Sequence, residues 1–151
     1  MSTQIESAAS TDGTNLFVRA GKGARIGAYL IDVVPAIFFG LIGIVPVIGP
    51  VLAGLILTPY WLLRDIMGAS LGKRLLGLKV MSQSGAEATK GALAVRNLPL
   101  VVGPGLMIIP MLGYVLGPGA ALVIIVIEAV CLLATGERMG DKLAGTVVVM
   151  K

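Results

Sequence analysis

The sequence has no histidine and one cysteine, Cys131. Without histidine, a common zinc ligand and the most frequent general base are both missing. A lone cysteine offers neither a disulfide partner nor a metal-ligand spacing. No nucleophile sits beside a base in a recognisable arrangement. The chain therefore reads as a non-enzyme, with no catalytic residues, no metal ligands and no cofactor. Charge is scarce too: 13% of residues are charged, against about 25% in ordinary soluble domains. Two blocks of 31 residues, Val33–Leu63 and Asn97–Ile127, carry no charge at all.

Apolar side chains fill that space. Hydrophobic residues make up 56% of the 151, and mean hydropathy is +0.96. Crossing the hydrocarbon core takes about 20 apolar residues in a helix. Each block, with its weakly charged flanks, is long enough for two crossings. The expected fold is an all-α membrane protein with four transmembrane helices arranged as two hairpins. The spans are expected at about 25–45, 48–64, 98–116 and 119–135. Residues 1–19, rich in Ser, Thr and Ala at their start, read as a disordered tail without a cleavable signal peptide. Residues 20–151 form the membrane domain.

The turns between paired spans, Pro46–Pro50 and Gly113–Gly119, are uncharged. Pro99, Pro104 and Pro110 interrupt the third span, which is expected to be kinked or partly re-entrant. Pro35 in the first span frees the carbonyl of Ile31 beside Asp32. The connection 65–97 is polar. Within it Ser70–Gly77 predicts a short helix with a serine cap and a glycine stop, and Thr89–Asn97 predicts another. Leu78–Met81 and Gly145–Met150 alternate as strands and are expected to pair as a small cap, since a lone strand leaves its backbone unsatisfied. All twelve basic residues lie outside the hairpin turns. The positive-inside rule then places both termini and the central connection in the cytoplasm.

Asp32 and Glu128 are acids inside apolar runs. An unpaired carboxylate there costs at least a few kcal/mol, so it needs a partner, a wet cavity or a proton. Arg25 precedes Asp32 by seven residues, about two turns, on the same helix face. One reading makes Asp32 and Glu128 an ion- or proton-binding site tuned by Arg25. The other is structural, with Arg25, Arg64 or Lys142 reaching Asp32 as an ion pair and Glu128 protonated in a helix contact. Lys73 and Arg74 read as anchors to anionic headgroups of the bilayer. No aromatic platform accompanies the basic residues, so nucleic acid is not an expected partner.

Three stretches resemble the RDD family of small bacterial membrane proteins. They are Ala24-Arg25-Ile26-Gly27-Ala28-Tyr29-Leu30-Ile31-Asp32, Ser70-Leu71-Gly72-Lys73-Arg74-Leu75-Leu76-Gly77-Leu78-Lys79-Val80 and Gly140-Asp141-Lys142-Leu143-Ala144-Gly145-Thr146-Val147-Val148-Val149. By motif position the naming arginine and two aspartates are Arg25, Asp32 and Asp141, and Arg96 also matches the pattern. Gly140 departs from it, because the family often has histidine there. The resemblance implies a multi-pass protein of the bacterial inner membrane that transports unidentified ligands, with sodium/proton exchange proposed for some members. It also groups Asp141 with Arg25 and Asp32. A charge cluster of Arg25, Asp141 and Lys73 or Arg74 at the membrane face would lock the cap to the helices without any substrate. The rival function is a non-transporting subunit that assembles a larger membrane complex. Four short spans enclose little volume, so a homo-oligomer or a membrane-protein partner is expected in either case.

Overall fold

A computed structural model describes residues 17–151. The expected tail lies outside the described residues as far as position 16. Helix α1 (Lys22–Leu41) continues through a single 3-10 turn, Ile42–Ile44. Helix α2 (Ile48–Leu63) returns against it. The short α3 (Leu71–Leu75) starts at Ser70, whose hydroxyl accepts from the Lys73 N–H, and ends before Gly77 at φ +65°. Strand β1 (Leu78–Ser82) follows, then α4 (Lys90–Val95) with Thr89 as its cap. Helices α5 (Leu98–Met107) and α6 (Leu112–Thr135) form the second hairpin. The chain closes with α7 (Met139–Leu143) and strand β2 (Thr146–Met150).

Among the described residues two helical stretches are long and apolar enough to cross a membrane, Lys22–Ile44 and Leu112–Thr135. At ~1.5 Å per residue each spans about 35 Å, enough for a ~30 Å hydrocarbon core. Only 11% and 17% of their apolar windows are buried within the protein. A core helix of a soluble domain would be mostly covered. Phe38, Val115, Leu122 and Val130 instead face outward.

The second hairpin differs from the sequence expectation. Residues 98–116 are not one span. Helix α5 stops at Met107, after about 15 Å, and the fourth helix starts at Leu112 rather than near 119. Two of the three glycines read as a turn, Gly113 and Gly117, are packing positions. A Cβ on Gly113 would meet the Leu106 carbonyl, and one on Gly117 would meet Met107. Gly103 lies equally close to Ala121, so small residues let α5 and α6 touch along their backbones. The actual turn is at Pro110-Met111.

Both hairpins turn the same way. Val47 (φ 68°, ψ −60°) and Met111 (φ 63°, ψ −56°) each follow a proline. The Ile48 N–H bonds the Pro46 carbonyl at 2.8 Å, and the Leu112 N–H bonds the Pro110 carbonyl at 2.8 Å. These are γ-turns with positive φ, a strained conformation for side chains of this size. Residues 45–49 and 109–113 read Val-Pro-Val-Ile-Gly and Ile-Pro-Met-Leu-Gly, so one apolar turn motif occurs twice.

The two strands pair antiparallel, Leu78 opposite Met150 through Ser82 opposite Thr146. On its other edge β2 is met by the segment before α1. The Met150 N–H bonds the Val18 carbonyl at 3.0 Å and the Ala20 N–H bonds the Val148 carbonyl at 3.0 Å. The sheet packs Leu78 and Val148 onto Ala20 and Ala28. A second apolar cluster, Ala53, Leu57, Trp61 and Leu100, joins α2 to α5 with Tyr29, Val33 and Ala36 of α1 around it.

Candidate functional site

Between the two apolar clusters lies a buried layer of charge. Each short helix delivers one or two members of it. Arg25 and Asp32 stand on α1, and Arg64-Asp65 follows α2. Lys73 comes from α3, Arg96 ends α4, Glu128 sits on α6, and Arg138 and Asp141 begin α7. Burying so many ions is unfavourable unless each is paired and hydrogen-bonded. The layer meets that condition by sharing partners.

Asp141 is fully buried and accepts from three guanidinium groups: Arg96 at 2.6 Å, Arg138 at 3.2 Å, and Arg25. Arg25 also donates to the Gly136 carbonyl at 2.5 Å. Asp65, equally buried, accepts from Lys73 Nζ at 2.5 Å and Asn97 Nδ2 at 3.3 Å. Arg96 Nε lies 3.7 Å from Asp65, so this one arginine joins the two aspartates. Burial opposes ionisation of Asp65, but Lys73, Arg96 and Arg64 outweigh it and hold its carboxyl well below the usual range. Burial likewise opposes ionisation of Asp141, and Arg138, Arg96 and Arg25 hold it down.

Asp32 belongs to a neighbouring pair. Its Oδ1 accepts the Gly72 N–H at 2.8 Å, and its Oδ2 lies 3.5 Å from Arg64. The Arg64 guanidinium lies 4.7 Å from the Trp61 ring and 5.6 Å from the Tyr29 ring, and the two rings stack on each other at 5.8 Å. Tyr60 donates to the Asp32 main-chain carbonyl at 2.7 Å, next to the one that Pro35 leaves free. Arg25 is thus not the partner of Asp32. Helix α7 brings Asp141 to Arg25 instead, and Arg64, at the end of α2, meets Asp32.

Lys73 and Arg74 part company. The close packing of Gly72 on the Ala28 carbonyl turns α3 so that Lys73 faces inward, 6% exposed, to Asp65. It is no surface anchor. Arg74 stays exposed, outside the cluster, and its Nε donates to the Ala69 carbonyl at 3.1 Å. Leu71 and Leu75 project outward as expected.

Glu128 accepts the Gly140 N–H at 3.1 Å through Oε1. Its Oε2 has no hydrogen-bond partner among the described residues, with Arg138 Nε 3.8 Å away. Gly140 is pressed on the Arg96 carbonyl so tightly that no Cβ fits. A histidine has no room at this position here. Asp32 and Glu128 both line a cavity of about 170 Å³ whose wall is mostly apolar, including Ile26, Ile125, Ala129 and Leu133, with Arg25, Tyr29, Arg64, Lys73 and Arg138 contributing a small polar part of it.

The RDD family model matches residues 19–145. The chain belongs to the RDD family. In this RDD domain Arg25 and Asp141 are bonded directly, while Asp32 is paired with Arg64. No curated protein and no solved structure matches the chain significantly. Asp65, Arg138 and Asn97 escaped the sequence reading as site residues. The available signal was positional: Arg64-Asp65, Arg96-Asn97 and Arg138 each stand at the boundary of an apolar run.

Proposed function

We propose that this RDD protein is a four-segment inner-membrane protein with both termini, the central connection and the β cap on the cytoplasmic side, and that it has a transport-related role. The observation that carries the role is the cavity holding both intramembrane acids, with one carboxylate oxygen of Glu128 free of any donor among the described residues. Asp32 has both oxygens engaged and serves to hold α1, α2 and α3 together. Glu128 is the group placed to exchange a proton, while Arg138 beside it supplies the countercharge. Proteoliposome measurements of proton flux, driven by a pH or sodium gradient, test this. Flux that disappears in Glu128→Gln with folding intact is the expected result. Unchanged flux in that variant removes Glu128 from the role.

A specific observation favours a second reading. The Arg25–Asp141–Arg96–Asp65–Lys73 network clasps cap and helices with most of the buried charge committed to pairs. Such a clasp suits a non-transporting subunit of a larger membrane assembly. Absence of flux, together with a stoichiometric partner in native purification, supports it. Helix α5, too short to span alone, gives either reading a use for a second copy or a partner in the bilayer.

A further inference from the structure

The charge balance of the buried layer that borders the cavity, to which Arg96, Asp65 and Asp141 belong without lining it, points to a ligand of opposite sign to a metal cation. Five buried cations, Arg25, Arg64, Lys73, Arg96 and Arg138, face four buried acids, Asp32, Asp65, Glu128 and Asp141. None of these side chains is more than 10% exposed. One positive charge is in excess among the described residues, and a sodium ion would enlarge that excess. Of the side chains that line the cavity, Arg64 Nε and the Tyr29 hydroxyl have no acceptor, and Glu128 Oε2 has no donor, among those residues. Buried donors in native proteins nearly always find an acceptor. The site therefore asks for one negative charge carrying acceptor oxygens, with a hydroxyl that can donate to Glu128.

The walls define the rest of the ligand. Helices α1 and α6 are not packed closely on each other, and the cavity lies between them. Its edge residues Ile26, Ile125 and Leu133 are also part of the outward apolar surface. At about 170 Å³ the cavity is smaller than drug-sized sites of roughly 300–1,000 Å³. It has space for a head and none for a chain.

We propose that the cavity receives the head of a singly charged anionic lipid from the inner leaflet, its phosphate or carboxylate oxygens against Arg64 and Tyr29, its acyl chain leaving between α1 and α6. This rests on the membrane reading above and is independent of proton flux. Arginine suits the role because its planar donors match such oxyanions.

Trp61 provides the readout, being the single tryptophan and stacked on Arg64. The full chain is placed in phosphatidylcholine nanodiscs doped with chain-brominated phosphatidylglycerol or, separately, chain-brominated phosphatidylcholine. Several-fold stronger quenching per mole by the anionic lipid is expected. Arg64→Gln lowers it to the zwitterionic level. Because that variant also strips Asp32 of its partner, Ala129→Phe, which fills the cavity and leaves every charge in place, is measured beside it and loses the preference too. Equal quenching by both lipids in the unaltered protein overturns the proposal, as does a preference that survives Ala129→Phe. Loss of the preference on adding inorganic phosphate overturns the lipid assignment in favour of a soluble anion. Quenching by neither lipid sinks the membrane reading itself, whereas absence of flux with the preference retained sinks the transport role alone.

Discussion

The carboxylate of Asp32 accepts the main-chain N–H of Gly72, forty residues away, at 2.8 Å. The bond forms because nothing projects from Gly72 toward α1: a Cβ there would strike the Ala28 carbonyl. The first expectation follows from that fit. Gly72→Ala forces α3 off α1, costing about 1–3 kcal/mol for overpacking and up to about 1.5–3 kcal/mol for the hydrogen bond to a charged group. Thermal melts in detergent should show a large fall for Gly72→Ala and little change for Gly21→Ala, where a Cβ meets nothing within 4 Å.

Lys73 and Asp65 should behave as a coupled buried pair. Lys73→Met leaves Asp65 short of its nearest cation and should destabilise by about 3–5 kcal/mol. Adding Asp65→Asn should return part of that loss, giving a coupling of about 0.5–3 kcal/mol in a double-mutant cycle. Additive effects would mean that the two do not share an environment. A lysine anchoring to headgroups would instead show a loss dependent on anionic lipid.

Acid should loosen the clasp in a defined direction. Asp65 and Asp141 have carboxyls held below their unfolded values near 4. Their contribution is therefore complete above about pH 4 and is lost as pH falls through the lower folded values. Melting temperature in detergent should be flat from neutral to mildly acidic pH and drop below that point. Asp141→Asn should melt lower at neutral pH and show a shallower acid decline. A decline beginning near pH 6 would locate the sensitive group elsewhere.

The repeated γ-turns store strain that glycine would release. Positive φ at a β-branched or bulky residue costs of order 1–3 kcal/mol, less the entropy glycine loses on folding, about 0.5–1 kcal/mol. Val47→Gly and Met111→Gly should each raise stability by about 1 kcal/mol, as judged by unfolding in a mild denaturing detergent. Both side chains are largely exposed, so little packing is lost. Lower stability in both would show that these side chains hold contacts in the bilayer or with a partner.

Sidedness is open to a direct check. On a Cys131→Ala background, Ser84→Cys and Val47→Cys should react with a membrane-impermeant thiol reagent from opposite faces of sealed vesicles. Labelling of both from one face would overturn the proposed topology.

The sequence makes the apolar blocks, the strand pairing and α1 through α4 legible, because each rests on local signals: periodicity, Ser70 and Thr89 as caps, Gly77 as a stop. It misleads in the second hairpin. Gly113 and Gly117 look like turn residues one by one, and only the neighbouring α5 backbone shows why they are small. The resemblance groups Arg25 with Asp141, but spacing alone could not choose Arg64 over Arg25 for Asp32, since the choice depends on how α2 and α7 arrive. Lys73 was misplaced for a similar reason. Its inward turn is set by one glycine contact to α1, which no local pattern encodes.

Asp141 follows Arg25 by 116 residues and Arg96 by 45, and it is bonded to both. During synthesis these two arginines emerge well before the acid that neutralises them. Under the proposed topology Arg25 is then a naked cation and Arg96 has only Asp65 for a partner while the hairpins choose an orientation, and so both are available to retain the cytoplasmic side. When α7 arrives, the same charges are withdrawn from water and become a seal. Orientation and closure are thus written with the same side chains, read at different times.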